Sequence, residues 1–270
     1  MAFGGVPVET VEALAARVSD GAMVAVPPDY SFVAMAATRA MIRRGVRDLH
    51  LLAVPQSGIQ ADMLIGAGCV AIVETAAVSL GELGAAPRFT AALENGAIAI
   101  RDSTCPAIHA GLQASEKGLP FMPLRGLIGS DLMRVREDWK ESENPFEQGD
   151  RITVLPALKP DIALFHAPFA DRSGNIWIGR RRELVTMAHA ARATLVTVEE
   201  IRDIDLMRDE ALAGGSIPAL YVTAIANAPK GAWPLGLAGH YEADQAHLAG
   251  YAAAARSRQG FDDYLAEHGA

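Results

Sequence analysis

The sequence has little cysteine and no long uncharged apolar run. Its two cysteines, Cys69 and Cys105, show neither CxxC nor zinc-type spacing. We therefore expect no disulfide framework and no metal site. No stretch of about 20 apolar residues is free of charge, so no membrane-spanning helix is expected.

Several familiar signatures are also missing. The sequence contains no GxGxxG after a strand, no P-loop, no HExxH and no GxSxG. The first residues, MAFGGVPVETVEALAARV, lack the basic start and continuous apolar run of a signal peptide. These absences disfavour a dinucleotide-binding, nucleoside-triphosphate-binding or secreted protein, and a cytoplasmic location is expected.

Basic residues are fewer than acidic ones. The chain of 270 residues has 24 Lys and Arg against 32 Asp and Glu, for a net charge of −8. Non-specific nucleic-acid binding needs clustered positive charge, so no nucleic-acid partner is expected. A local basic pocket for a small anionic ligand remains compatible with this balance. With 50% hydrophobic residues and no evident linker, the chain is predicted to form one domain over residues 1–270.

Short apolar runs alternate with helical stretches along the chain. Strands are predicted at residues 23–26, 49–54, 70–73, 97–100, 162–165, 176–178, 194–198 and 220–225. Helices are predicted at residues 8–18, 32–44, 62–65, 88–94, 105–117, 240–255 and 261–267. This alternation indicates an α/β fold with an open, mainly parallel sheet and helices on both faces. Residues 119–150 show weak periodicity and are predicted to be a long functional loop or contact surface.

The loops after the second and third strands are candidate binding sites, because open parallel sheets bind ligands at the carboxyl ends of their strands. Gln56, Ser57 and Gly58 form a small polar turn whose backbone N–H groups and hydroxyl can bind an anion. Ser79 occupies a similar place after the next strand. An ordinary strand–helix turn uses the same residue types, so both interpretations stay open.

Arg125 and Gly126 lie in an apolar, proline-stiffened segment. A buried arginine there needs an anion, which is either a substrate carboxylate or a structural Asp or Glu. Arg180, Arg181 and Arg182 can likewise meet a phosphate or a partner chain, or form a solvated turn. The residues of 171–175 are predicted to form a structural turn.

Four longer motifs occur in a specific order. They are GLPFMPLRGLIGSDL (118–132), PALKPDIALFHAPFADRSGNIWIG (156–179), VTVEEI (196–201) and APKGAWP with GHYEADQAHLAGY (228–251). Together with GVRDLHLL (45–52) and DMLIGAGCV (62–70), they resemble the A (alpha) subunits of class I CoA-transferases, particularly the glutaconate CoA-transferase-like branch. The resemblance covers nearly the whole chain.

The resemblance implies an alpha subunit that works with a B subunit, as an α2β2 heterotetramer, in a fold shared with sugar-phosphate isomerases. It implies that a partner glutamate attacks an acyl-CoA thioester and that CoA then passes to a carboxylic acid. A CoA thioester is thus a substrate, and no tightly bound cofactor is expected. The expected catalytic residue is absent from this chain, and the positions implied for the acyl pocket are Gln56, Ser57, Gly58, Ser79, Arg125 and Gly126.

Two departures from the family pattern concern the reaction. After the first strand, Pro27-Pro28-Asp29-Tyr30 replaces a glycine-rich stretch, and proline has no N–H to donate to an oxyanion. Ring-cleaving CoA-thioester hydrolases of similar sequence have a glutamate where this chain has residues 103–106, which contain no carboxylate. The alternatives are therefore a hydrolase subunit, which this difference disfavours, and a non-catalytic acyl-CoA-binding partner. Cys105 either lies in the pocket or is inert.

Overall fold

The computed structural model describes residues 2, 3 and 5–269 of the chain. The strands are, in chain order, β1 (Ala2–Phe3), β2 (Val6–Glu9), β3 (Met23–Val26), β4 (Leu49–Ala53), β5 (Gln56–Ser57), β6 (Val70–Thr75), β7 (Ala77–Val78), β8 (Ala99–Asp102), β9 (Phe121–Leu124), β10 (Lys140–Glu143), β11 (Arg151–Pro156), β12 (Ile162–Asp171), β13 (Ile176–Trp177), β14 (Ala193–Arg202), β15 (Ser216–Ile217) and β16 (Ala224–Asn227). The α-helices are α1 (Val11–Ala16), α2 (Met35–Arg44), α3 (Ile59–Gly66), α4 (Pro87–Glu94), α5 (Cys105–Glu116), α6 (Leu132–Val135), α7 (Arg182–Ala190), α8 (Glu210–Ala213), α9 (Gln245–Ala254) and α10 (Arg258–Glu267). Short 3-10 turns lie at Gly81–Leu83 and Ala219–Tyr221.

The predicted open, mainly parallel sheet is confirmed. Its strand order is β1-β2-β16-β14-β12-β3-β4-β6-β8, and every neighbouring pair from β2 to β8 is parallel. From β3 the chain runs outward in one direction through β4, β6 and β8. It then returns to the other side of β3 and runs outward through β12, β14 and β16. The order therefore reverses between β3 and β12, and such a reversal opens a crevice at the carboxyl ends of the strands.

Helices cover both faces of the sheet, as predicted. One core cluster contains Leu14, Met41 and Leu64 from α1, α2 and α3. The opposite cluster contains Leu112 of α5 and Leu184 of α7. Alternate residues of each central strand enter opposite clusters, because successive side chains of a strand point to opposite faces. Strands buried on both faces read as continuous apolar runs, which is why they are recognisable in the sequence.

Two predicted helices begin later than expected. Val8 lies in β2, and α1 begins only at Val11 because the Thr10 hydroxyl accepts a hydrogen bond from Ala13 N at 3.1 Å. Likewise α9 begins at Gln245 because Asp244 accepts from His247 N at 2.9 Å. In both cases a capping side chain satisfies the first free N–H groups and sets the boundary. The predicted strand 220–225 also begins late, because the 3-10 turn at Ala219–Tyr221 precedes β16.

The prediction of a long loop at residues 119–150 is wrong. This segment supplies β9, α6 and β10, which join β11 in an antiparallel sheet of order β10-β11-β9. The sheet packs on α5 through Ala107, Ala110, Trp139 and Leu155. The periodicity is weak because β10 (Lys140–Glu143) is exposed along its whole length. Such a strand shows no alternation of apolar and polar residues.

Arg136 attaches this segment to the main sheet. Its guanidinium donates to Glu74 Oε1 of β6 at 2.8 Å and to Asp138 Oδ1 at 2.9 Å. It also lies 4.4 Å above the Trp139 ring. Among the helices of the described residues, none combines the length and the apolar character needed to cross a membrane.

Candidate active site

A cavity of about 840 Å³ lies at the carboxyl ends of β3, β4 and β6. Loops that follow these three strands form one wall, including Asp29, Ser57 and Ser79. Residues 235–243 and the start of α9 form the other wall. The cavity is thus next to the reversal of strand order, where parallel sheets bind their ligands, and its volume suits a small-molecule site.

Ser57 is the buried polar residue of the first wall. Its Oγ is shielded from solvent and has no hydrogen-bond partner within the described residues. A buried hydroxyl without a partner costs free energy, so such a group is a candidate for contacting a ligand. The predicted turn of Gln56, Ser57 and Gly58 therefore does reach a cavity.

Asp29 occupies the backbone donors that this turn was predicted to offer. Its two carboxylate oxygens accept hydrogen bonds from Gly58 N and Ile59 N, each at 3.1 Å. These N–H groups open α3, where a negative charge is stabilised by the free donors of the helix. Burial raises the pKa of Asp29 to about 6, although the two backbone hydrogen bonds act in the opposite direction.

Gly58 is required by this arrangement. A Cβ at position 58 would lie 2.1 Å from Asp29 Oδ2 and 2.7 Å from the Ser79 carbonyl oxygen. Both distances are far below van der Waals contact, so only glycine allows the carboxylate and the next loop to approach the start of α3.

Hydrogen bonds join the second and third loops. β5 pairs with β7 in parallel, and Ser79 N donates to Ser57 O at 3.1 Å. The Ser79 hydroxyl is exposed; it accepts from Gly81 N at 3.1 Å and donates to Gly84 O at 3.3 Å. Ser57 and Ser79 therefore share one wall, but Ser79 already has local partners.

Behind the opposite wall, four of the sequence motifs meet in one hydrogen-bonded cluster. Glu199 of β14 accepts from Tyr241 OH at 2.7 Å and from the N–H groups of Lys230 and Gly231 at 2.7 and 3.1 Å. His166 of β12 lies beside the same carboxylate, with Nε2 2.9 Å from Glu199 Oε1. The cluster holds residues 230–241 against the sheet and places Tyr241 in the cavity wall.

The cluster sets the protonation states of its members. Burial by itself would raise the pKa of Glu199, but hydrogen bonds from His166, Tyr241 and Lys230 N outweigh it and lower the pKa to about 2. Burial lowers the pKa of His166 and raises that of Tyr241. Neutral His166 therefore donates from Nε2 to the ionised Glu199, while its Nδ1 accepts from the Thr197 hydroxyl at 2.8 Å.

Arg181 is the one Lys, Arg or His among the described residues that lines the cavity. Its guanidinium carbon lies 3.6 Å from the centroid of the Phe32 ring, so the cation is stacked on an aromatic face. Phe32 has a φ of +62°, a conformation that is rare for a bulky residue. Its carbonyl accepts from His166 N at 2.6 Å, and this contact helps to hold it in place.

Comparison with known proteins gives the family. The model of the Coenzyme A transferase family matches residues 8–228. The chain belongs to this family. In Pseudomonas knackmussii, the A chain of 3-oxoadipate CoA-transferase is 32% identical, over 95% of this chain and 91% of that one. The resemblance stated from the motifs is thereby confirmed.

Solved structures of this family agree with the fold. Glutaconate coenzyme A-transferase from Acidaminococcus fermentans superimposes with a TM-score of 0.87 and 29% identity, over 96% of this chain and 87% of that chain. The alpha chain of the enzyme with that name from the same species is 32% identical, over 86% and 77% of the two chains. A variant of the decarboxylase AibA/AibB superimposes with a TM-score of 0.83 and 30% identity, over 98% and 100%.

In this CoA-transferase-family chain, the predicted pocket residues fall into two groups. Gln56, Ser57, Gly58 and Ser79 line the cavity together. Arg125 and Gly126 are not among its lining residues. Arg125 is largely exposed and pairs with Asp150 and, at 3.8 Å, with Glu147. Within this chain, the structural carboxylate considered from the sequence is therefore the partner that Arg125 has.

Other lining residues of this CoA-transferase-family chain were not predicted to bind a ligand. From the sequence, Asp29 is only part of a departure from the family pattern, and Arg181 has both a functional and a solvated interpretation. Residues 240–243 were predicted to be helical, although they form an irregular wall of the cavity. The signal that was available was the motif GHYEAD itself. Cys105 is exposed at the start of α5 and does not line the cavity.

Proposed function

We propose that this chain is the alpha subunit of a two-subunit enzyme that transfers CoA from an acyl-CoA to a carboxylic acid. The observation that carries the proposal is the cavity at the carboxyl ends of β3, β4 and β6, lined by Gln56, Ser57, Gly58 and Ser79. In a chain of this family, a cavity at that place is suited to the acyl group of the thioester.

A partner subunit is proposed to supply the attacking glutamate. Three carboxylates line the cavity, and none is suited to attack. Asp29 is held by two backbone N–H groups, while Glu82 and Glu242 are exposed to solvent, where hydration weakens a nucleophile. The relatives, each named as one subunit of a 3-oxoadipate or a glutaconate CoA-transferase, also support a second subunit. An α2β2 assembly is part of the proposal.

The chemistry proceeds through covalent intermediates on the partner glutamate. Its carboxylate oxygen attacks the thioester carbonyl, the C–S bond breaks and the CoA thiolate leaves a mixed anhydride. The thiolate then attacks the glutamyl carbonyl, which forms an enzyme–CoA thioester and releases the acyl group as a carboxylate. The acceptor acid reverses both steps. Ser57 Oγ is placed to donate to an oxygen of the acyl group, while Pro27 and Pro28 leave the remaining oxyanion donors to the partner.

Residues 119–150 are proposed to contact the partner. This segment exposes Phe121, Val135 and Phe146, of which Phe146 is 95% exposed. Exposed apolar side chains concentrated in one segment are typical of interaction surfaces. Arg125 and Gly126 belong to the same segment, so any contact that they make with substrate is proposed to arise in the assembled enzyme.

The test is to trap the enzyme–CoA thioester. The chain is co-purified with the B-like protein, incubated with an acyl-CoA and treated with borohydride or hydroxylamine; the chain alone serves as the control. An adduct on a glutamate of the partner, absent from the control, is the expected result. Release of free acid and CoA without an adduct would instead indicate a hydrolase, and release of CO₂ a decarboxylase like that named in the AibA/AibB structure. Absence of any complex would contradict the two-subunit proposal.

A further inference from the structure

We propose that Arg181 binds a second, distal carboxylate of the acyl substrate and thereby selects dicarboxylic acids over monocarboxylic acids of the same length. The inference deepens the proposed function and rests on it, because it takes the cavity to be the acyl site. It assigns a specificity-determining role to a residue outside the predicted pocket set.

Arg181 has no anionic partner in the part of the chain that the structure describes. There, no Asp or Glu oxygen lies at ion-pair distance from its guanidinium, and its Nε is buried without a hydrogen-bond acceptor. The nearest influence of opposite sign is Glu183, whose Oε1 instead accepts from the Ser31 hydroxyl. A desolvated guanidinium without a counter-ion is costly, and a ligand anion would remove that cost.

The guanidinium is also held in position before any ligand binds. It is stacked on the Phe32 ring at 3.6 Å. Phe32 in turn is fixed by its unusual backbone angle and by the hydrogen bond from His166 N to its carbonyl. Burial lowers the pKa of Arg181, which remains a cation at any physiological pH. A planar, stacked guanidinium presents its N–H edge for two parallel hydrogen bonds to a carboxylate.

The charge of the cavity favours a carboxylate over a phosphate of CoA. Asp29, Glu82 and Glu242 line the same space, so three acidic side chains oppose one cation. A phosphate monoester or diphosphate carries more negative charge than a carboxylate and would be repelled more strongly. The anion that fits is therefore a single carboxylate at the far end of an acyl chain.

The test compares glutarate with pentanoate, which have equally long carbon chains and differ in one carboxylate. Binding to the full chain, alone and with its partner, is measured by titration calorimetry, without turnover. The variants are Arg181→Met, Arg181→Lys and, as a matched control, Arg180→Met, since Arg180 is exposed and does not line the cavity. We expect Arg181→Met to weaken glutarate binding about 10- to 100-fold, with Arg181→Lys intermediate. Pentanoate binding and the Arg180→Met variant should be unchanged.

Several results would overturn the inference. Equal binding of the two acids to the wild-type chain would do so, as would an unchanged preference in Arg181→Met. A loss of adenosine 3′,5′-bisphosphate binding in Arg181→Met, with glutarate unaffected, would assign Arg181 to CoA instead. Because acid binding needs no catalysis, a preference for glutarate in a protein without transferase activity would support the role of Arg181 while rejecting the proposed reaction.

Discussion

The hydroxyl of Tyr241 donates a 2.7 Å hydrogen bond to the carboxylate of Glu199. One residue lies in the irregular wall of the cavity and the other in β14 of the central sheet. The same hydroxyl accepts from Ala232 N at 3.1 Å. This pair therefore attaches a segment without regular secondary structure to the central sheet of the fold.

Tyr241→Phe should destabilise the protein. The change removes one donor from Glu199 and leaves Ala232 N without its acceptor, so a loss of about 1–3 kcal/mol in the free energy of unfolding is expected. The measurement is chemical denaturation at neutral pH. Tyr221→Phe is the matched control, because the Tyr221 ring stacks on His189 but its hydroxyl has no partner among the described residues. Equal stability of the two variants would contradict the role of the cluster.

Gly58→Ala should be poorly tolerated. Its methyl group would overlap Asp29 Oδ2 and the Ser79 carbonyl, and a backbone oxygen cannot simply rotate away. Overpacking of this kind costs typically about 1–3 kcal/mol, and here it should also displace Asp29 from the start of α3. Thermal unfolding checks the prediction. Gly214→Ala, whose Cβ meets nothing within 4 Å, should be neutral or slightly stabilising. Similar melting temperatures would argue against the close approach.

Asp29 should make stability depend on pH. Its pKa is about 6 in the folded protein and near 3.8 when unperturbed, so the folded state retains the proton to a higher pH. The contribution of Asp29 to stability is therefore fully present below about pH 4 and is lost as the pH rises to about 6. From the linkage relation the loss is at most about 3 kcal/mol.

The comparison for Asp29 is the Asn variant, which does not titrate. The difference between the unfolding free energies of wild type and Asp29→Asn, measured by urea denaturation from pH 4 to pH 7, should shift in favour of Asn as the pH rises. Any constant offset from an altered hydrogen bond cancels in this comparison. A difference that stays flat across that range would show that the carboxylate is not perturbed.

Ser57→Ala should separate stability from activity. The hydroxyl is buried with no partner in the described part of the chain, so removing it should leave the free energy of unfolding unchanged or slightly higher. If it contacts the acyl group, as proposed, kcat/KM should fall about tenfold. Ser142→Ala, on the exposed strand β10, is the control for activity. A variant with lower stability and normal turnover would assign Ser57 a structural role.

Phe146→Ser should weaken assembly without affecting the fold. Phe146 is almost fully exposed in the segment proposed to meet the partner, so its loss should raise the dissociation constant of the complex at least about tenfold. Leu220→Ser is a matched control, since Leu220 is 86% exposed and lies outside residues 119–150. Surface plasmon resonance against the B-like protein distinguishes them, and hydrogen exchange in residues 119–150 should slow on binding. Unchanged affinity and exchange would exclude this surface.

Local signals predicted the elements because they depend on neighbouring residues. Gly45, for example, follows α2 with a φ of +71°, as a glycine after a helical stretch usually does. The prediction failed where a side chain acts over a short distance in an unexpected way. Thr10 and Asp244 move the starts of two helices, and the exposed strand β10 hides a whole antiparallel sheet.

By itself, the sequence determined the α/β class, the parallel sheet and the family, since apolar periodicity and ordered motifs are properties of the chain read in one dimension. Only the tertiary structure decided which charged residues meet. Arg125 and Arg181 are indistinguishable as candidates in the sequence, yet one pairs with Asp150 and the other lines the cavity with no ion-pair partner among the residues described. The distance along the chain from Asp29 to Gly58, or from His166 to Glu199 and Tyr241, does not indicate contact. Those groups meet because parallel strands align their carboxyl ends, and the order of strands in a sheet is set by packing across the whole molecule.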